Sequence, residues 1–387
     1  MQADVVVVGR GLIGVAATRH LVDQGVDVVA IGPAEPQDWA SHPGVFASHY
    51  DTGRITRFTG PDPIWSELAA RSIARYGQIE QRSGIVFHTD SGLVAASDGL
   101  DLWLESAGIH QVEHEVLDGD EIYDRFGIRY PDGTRVLLES SPAGHIDPRK
   151  LLLAQSRIAR SDGATIVERE ALTLSADRHS WRVDWSDGSV TAPSVLVTAG
   201  AFTNELLPEP LAFERYARTV LLAEMDPIDG LPALIWHRPE PEARVYWVPP
   251  VVYPDGRTRL KIGGGVPPDQ LLEDGPALRQ WFRSNGSDAE VDKLRETLLG
   301  LLPDVEVRSW DQHPCVTTST VHGRPYIGSV AEGLHVAAGG NGSAAKSSDE
   351  IGRLAADIAL GGAWRDKTLL ESDFRPVLTT VDAPVRR

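Results

Sequence analysis

Asp4-Val5-Val6-Val7-Val8-Gly9-Arg10-Gly11-Leu12-Ile13-Gly14 decides the fold of this 387-residue chain. The valine run has the near-continuous apolar composition of a parallel strand buried on both faces. Ile13, Ala16, Ala17, His20 and Leu21 then fall at helical spacing, so the segment reads as strand, tight glycine turn, helix. In that context a GxGxxG pattern is a dinucleotide site. Gly9 permits the turn, Gly11 lets backbone approach a pyrophosphate, and Gly14 allows close packing of the helix. The helix N-terminus, with Leu12 and Ile13 in its first turn, offers free N–H groups and about half a positive charge to phosphates. The motif says dinucleotide without saying which.

With 42% hydrophobic residues and no apolar run near membrane-spanning length, the composition is that of a globular chain. A strand beginning at residue 4 leaves no room for a signal peptide, so a cytoplasmic location is expected. The net charge of −18 argues against nucleic acid or an anionic membrane as partner, since both require a positive face. Cys315 is the single cysteine, which excludes an intrachain disulfide and a cysteine-built metal site; no metal is expected. Of 37 basic residues only five (Lys150, Lys261, Lys293, Lys346, Lys367) are lysines, so a lysine in a glycine-rich or apolar segment asks for a reason.

The first unit closes with Val26-Asp27-Val28-Val29-Ala30-Ile31. A dinucleotide fold ordinarily ends this strand with an acid for the ribose hydroxyls. Here Gly32-Pro33 stand in its place; either Glu35 reaches back, or backbone and water hold the ribose. From Trp39 to Phe58 the chain reads as polar loop, and a helix follows with Trp65, Leu68, Ala69, Ser72, Ile73 and Tyr76 on one side. Asp147-Pro148 launches another helix, and Ser186-Asp187-Gly188 reads as a hairpin turn. Ser194 to Gly200 is a second buried strand ending on glycine, and a charged helical region spans about 267–301. Leu334-His335-Val336-Ala337-Ala338 is the last core strand, running into Gly339-Gly340-Asn341-Gly342 and a final helix; an extended tail is expected from Asp373. Dinucleotide-type segments thus occur at the start, middle and end, with β-rich insertions between them. This predicts a discontinuous nucleotide domain (1–84, 144–214 and 311–387) and a second domain from 85–143 and 215–310.

Lys346 falls at the start of the final helix, where a cation opposes the helix dipole at a cost of roughly 0.3–1 kcal/mol. A nearby anion would offset that cost. Lys261, in Leu260-Lys261-Ile262-Gly263, lies between apolar neighbours on a predicted strand, although alternation alone would also turn it to solvent.

The order and spacing of Gly9–Gly14, Asp147-Pro148, Thr198-Ala199-Gly200-Ala201 and the stretch from Cys315 to Lys346 resemble the D-amino-acid oxidase superfamily of flavoproteins. Within it the chain is similar to the branch of monomeric sarcosine oxidase and related N-alkyl amino acid oxidases. The resemblance implies an α/β (α+β) fold: an FAD-binding Rossmann-like domain with a second, β-rich substrate domain, as in the glutathione-reductase-like two-domain architecture. It implies FAD held by Gly9, Gly11, Leu12, Ile13, Gly14, Ser48, Arg54, Gly200, Gly339, Gly340, Asn341, Gly342 and Lys346, with a thioether from Cys315. Arg54-Ile55-Thr56-Arg57 matches the branch's Arg-x-x-Arg segment, and by resemblance Arg57 and Lys346 clamp the substrate carboxylate, with Tyr246 beside them. Thr317 stands where other amino-acid oxidases place an arginine, which favours the sarcosine-oxidase mode. Lys261 takes the position that stabilises superoxide. Gly265 replaces a histidine frequent in the branch four residues on, and this points to a larger substrate than sarcosine.

The implied activity is oxidation of an amino acid, an N-substituted glycine foremost, to an imine that hydrolyses, while O₂ becomes H₂O₂. A D-amino-acid or glycine oxidase, a dehydrogenase with another acceptor, and a flavin-binding protein without turnover are the alternatives. A monomer or small homo-oligomer is expected.

Overall fold

The computed structural model describes residues 1–35, 45, 51–237, 244–265, 270–362 and 364–379. Its centre is a six-stranded sheet in the order Tyr326–Ala331, Leu334–Ala338, Ser194–Val197, Val5–Val8, Val28–Ile31, Thr165–Val167. All neighbours are parallel except the first pair. The four valines of the opening strand are all buried, and alternation divides them between two layers. Val5 and Val7 pack with Ala17, Leu21, Ile351 and Leu354 of two helices, Leu12–Val22 and Ala344–Ala359. Val6 and Val8 pack with Val183 and Val190 of a three-stranded antiparallel sheet. Burial on both faces explains why the strand is apolar throughout.

An eight-stranded sheet stands beside this layer, ordered Ser309–Thr320, Phe213–Glu224, Thr258–Gly265, Arg244–Val252, Ala233–His237, Leu93–Ser97, Val136–Glu139, His114–Leu117. The strand carrying Cys315 therefore begins before residue 311 and stays in the eight-stranded sheet to Thr320. Among the described residues no helix is long and apolar enough to cross a membrane.

Local chemistry sets the helix starts. Asp147 caps Pro148–Ser161 through the N–H groups of Arg149 and Lys150, and Pro148 loses no bond there because its N–H would be unpaired. Ser186-Asp187 makes the turn that pairs Trp185 with Gly188. Three expectations change in detail. The helix foreseen through Tyr76 is two, Pro63–Ile73 and Tyr76–Ser83, broken where Arg75 turns its guanidinium onto Asp349 and Glu350 at 2.5 Å each. The charged region likewise holds two helices, Gly275–Phe282 and Asp288–Leu301. Within the expected loop of 39–58, Arg54–Thr56 is a strand paired with Gly144–Ile146. Its one charged side chain, Arg54, hides the strand pattern because it turns to a cavity rather than to open solvent.

Candidate active site

A cavity of about 850 Å³ runs from the first glycine turn to the start of the final helix. Gly9, Arg10, Gly11, Leu12 and Ile13 line one end, and Gly339 to Lys346 line it further on. Gly9 has φ +107°, and a side chain on Gly14 would place its Cβ 1.8 Å from the Gly9 carbonyl oxygen. Among the described residues nothing lies within 4 Å of a Cβ built on Gly11, so the cavity can reach the backbone there. Neither Gly11 nor Ser343, the residues opening the two helices, makes a side-chain cap bond, and neither helix has an acid in its first turn. Two positive helix ends without a side-chain cap thus border one cavity, and at the second the first N–H, of Ala344, is taken by the Gly340 carbonyl (3.1 Å). Asn341 pins the far loop by accepting from Thr320 N (2.9 Å), donating to the Gly339 carbonyl (2.6 Å) and giving its own N–H to Thr318 (2.8 Å). Gly200, with φ +56°, lines the cavity between these loops.

The departure at Gly32 has a steric cause. A Cβ there would sit 2.9 Å from Arg10 N and 3.0 Å from Arg10 Cβ. Arg10 folds over the strand end and donates to the Gly32 carbonyl at 3.2 Å, which leaves no room for an acid. Glu35 lines the cavity and pairs with Arg149 at 2.5 Å.

At the opposite end two cations line the cavity together, Lys346 buried and Arg57 half-buried. Lys346 is 4% exposed; its Nζ donates to the Ser343 carbonyl at 3.2 Å and lies 5.5 Å from the centre of the Trp65 ring. Burial, and then the charge of Arg57, push its pKa well below the ordinary lysine value. The Arg57 guanidinium donates to the Thr59 carbonyl and lies 4.6 Å over the Trp103 ring. Burial pushes its pKa down to about 10, against the opposing pull of Glu139. That carboxylate is committed to the loop, accepting from Phe58 N (2.7 Å), Thr59 N (3.1 Å) and Thr59 Oγ1. Among the described residues neither cation has an ion-pair partner within 4 Å, and both line the cavity.

A second cluster stands nearby. Arg54, Tyr246, Cys315 and Thr317 line the cavity, while Lys261, 1% exposed, stands behind this wall. Its Nζ donates to Asp51 Oδ2 (2.9 Å) and to the Gly53 carbonyl (2.6 Å), 5.3 Å from the Tyr246 ring centre. Burial and Arg54 lower its pKa to about 8. Arg54 pairs with the same Asp51, whose carboxyl Arg54 and Lys261 hold at about 2 although burial pushes it up. Burial raises the Tyr246 phenol. Cys315 is a free thiol within electrostatic reach of Arg54 and Lys261.

Gly265, Arg244 and His237 are register partners across three adjacent strands, and all line the cavity. Among the described residues a Cβ on Gly265 would meet the Arg218 guanidinium alone, at 3.8 Å. The space that a histidine would fill is therefore bounded by Arg218, itself paired in register with Cys315. Ser48 lies outside the described residues.

The profile of the DAO family, FAD dependent oxidoreductases, matches residues 4–358. The chain belongs to this family. It is 27% identical over 384 residues to monomeric sarcosine oxidase of Streptomyces avermitilis, covering 93% of this chain and 94% of that one. It is 25% identical to human peroxisomal sarcosine oxidase, over 82% and 81% of the two chains. Among solved structures it is similar to NikD, an unusual amino acid oxidase essential for nikkomycin biosynthesis, with a TM-score of 0.81 at 20% identity over 99% and 100% of the chains. Glycine oxidase from Bacillus cereus matches with a TM-score of 0.70 at 18% identity. These likenesses identify the fold as that of FAD oxidases of this family.

The cavity of this DAO-family chain suits FAD. The space at Gly11 and the positive end of the first helix would hold an anionic pyrophosphate, and Cys315 and Lys346 line the same cavity. Sequence reasoning missed Asp51, Glu139, Trp103, Arg218, Arg244 and His237. Only Asp51 carried a signal, as an acid three residues before a motif arginine; the others sit on distant strands and one helix that only the fold brings together.

Proposed function

We propose that this chain oxidises the C–N bond of an amino acid, an N-substituted glycine foremost, to an imine that water hydrolyses, with O₂ reduced to H₂O₂. The observation that carries this reading is the pair of cations, Arg57 and Lys346, that line the end of the FAD cavity. FAD, when bound, takes the two electrons from the substrate and hands them to O₂. The sarcosine oxidases among the relatives support an N-methylated amino acid as substrate type.

The chain's own residues do the rest. Arg57 presents a planar fork that matches a carboxylate, and each charge-assisted hydrogen bond contributes about 1.5–3 kcal/mol. Lys346 meets the same carboxylate, which relieves both the helix-dipole conflict and the repulsion between the two cations. A site holding two positive groups disfavours an ammonium, so the amine enters neutral, as oxidation of a C–N bond requires. Ile55 and Ile235 on the wall keep the reacting carbon dry. Lys261 supplies a fixed positive charge near the place where O₂ gains electrons. Cys315 is the point of thioether attachment. The six-stranded sheet carries the FAD domain and the eight-stranded sheet the substrate domain. The protein works in the cytoplasm as a monomer or small homo-oligomer.

Anaerobic mixing with N-methylglycine, N-alkyl homologues, glycine and D-amino acids tests the reading. Rapid bleaching of the flavin by an N-substituted glycine supports it, and bleaching by D-amino acids or glycine alone replaces the substrate class. If no amino acid bleaches the flavin, the reading fails.

A further inference from the structure

Asp51, its side chain only 11% exposed, turns its two carboxylate oxygens to different partners. Oδ2 takes a proton donor from Lys261 Nζ at 2.9 Å, and Oδ1 faces the Arg54 guanidinium. The backbone two residues on completes the cradle, because the Gly53 carbonyl accepts from Lys261 at 2.6 Å and from Arg54 at 3.1 Å. Gly53 must be small here, since its Cβ would come 2.6 Å from Val248 Cγ1. The segment Asp51-Thr52-Gly53-Arg54 thus grips one lysine from a distant strand.

We propose that Asp51 is the positioning residue for Lys261, holding its ammonium charged and in place for the reaction of O₂ at the cofactor. This rests on the oxidase reading above. Two of the three ammonium N–H donors of Lys261 are spent on Asp51 and Gly53, which fixes Nζ against the wall formed by Tyr246, Arg54 and Cys315. Among the described residues, the charged and titratable groups facing Lys261 are Asp51, Arg54, Cys315 and Tyr246; its register partners Leu222 and Val248 are apolar. Asp51 is the one carboxylate among them. Without it, two buried cations share a site. Arginine keeps its proton under all working conditions, so the lysine is the group that gives way. An asparagine cannot replace the carboxylate, because its single carbonyl oxygen serves one cation and its NH₂ then faces the other.

Asp51→Asn, Asp51→Glu, Lys261→Met and the Asp51→Asn/Lys261→Met double variant test this as flavin-loaded proteins. One readout needs no turnover, namely a pH titration of the resting enzyme's visible absorption. The wild type shows a transition near pH 8 that Lys261→Met abolishes and Asp51→Asn moves acidward by at least one pH unit. The second readout compares reoxidation by O₂ with anaerobic reduction. Asp51→Asn slows reoxidation at pH 8 about fivefold or more, far more than it slows reduction, and its rate rises as the pH is lowered and Lys261 regains its proton. Asp51→Glu restores most of the rate. The double variant is no slower than Lys261→Met, since Asp51 acts through Lys261.

An unmoved absorption transition, or losses that multiply in the double variant, overturns the proposal. Should Asp51→Asn fail to fold, Asp51→Ser and the double variant, which carries no unpaired ammonium, make the same comparisons. If reduced wild type is reoxidised by a dye but not by O₂, the oxidase reading fails instead. The absorption titration then still decides whether Asp51 controls Lys261.

Discussion

Replacing Arg57 by Met removes the fork from the proposed carboxylate clamp while keeping most of the side-chain volume against Trp103. Part of the guanidinium is already committed to the Thr59 carbonyl, so the substrate loses one or two charge-assisted bonds. At about 1.5–3 kcal/mol for each, a loss of about 3 kcal/mol is expected, and at 1.4 kcal/mol per tenfold this is about a 100-fold fall in the second-order rate of anaerobic flavin reduction. Glu139, now without its cationic neighbour, adds repulsion toward the substrate carboxylate and acts in the same direction. Because the clamp holds a part of the substrate that does not react, most of the fall lies in the dissociation constant. Stopped-flow reduction at 450 nm, about the long-wavelength flavin band, would be run with an N-methyl amino acid and with an N-methyl amine lacking the carboxylate. The amine should react slowly with wild type and variant alike, within about threefold of each other. Equal losses for both substrates, or less than about tenfold for the amino acid, would refute the assignment of Arg57 to the carboxylate.

Other expectations are as direct. Acid precipitation should leave the yellow colour in the pellet for the wild type and release it to the supernatant for Cys315→Ser; a yellow wild-type supernatant removes the covalent link. Gly14→Ala should abolish flavin retention, since the new Cβ falls 1.8 Å from the Gly9 carbonyl oxygen and 2.5 Å from Thr198 Oγ1, and fluorescence of the released FAD measures this. Asp349 holds Arg19 (2.6 Å) and Arg75 (2.5 Å) at the junction of three helices, so Asp349→Ala should lower the unfolding free energy by about 3–5 kcal/mol in denaturant titrations. His145, His237 and His335 are each held at about 4 by burial. Their folded-state values lie below the unfolded value of about 6.5, so the unfolded chain takes protons first. Melting temperature should therefore fall steadily as pH drops from 6.5 to 4, and a flat profile would contradict their burial as neutral rings.

Much of this was legible in the chain because the decisive elements are local. Val5–Val8 with Gly9, Gly11 and Gly14 combine a buried strand, a turn and a helix start within eleven residues, and each leaves its mark on composition. Lys346 was visible as a cation in the wrong place on a helix. Lys261 was visible only as a lysine among apolar neighbours, and alternation could not say which way it turned. What stayed hidden depends on long-range pairing. The Gly265, Arg244 and His237 row exists because three strands share a register, and no spacing within any one strand encodes that. Glu139 looks like an ordinary strand end until the loop of Phe58 and Thr59 closes on it. The acid missing at Gly32 had its reason in Arg10, which only the fold lays across that strand end.

The central claim is tested most directly by product balance in aerobic turnover of the flavin-loaded protein with an N-methyl amino acid. One H₂O₂ and one carbonyl compound are expected for each O₂ consumed, with loss of all three signals when the amino acid's carboxylate is removed. A flavin that stays oxidised, or that is reduced and then ignores O₂, would contradict it.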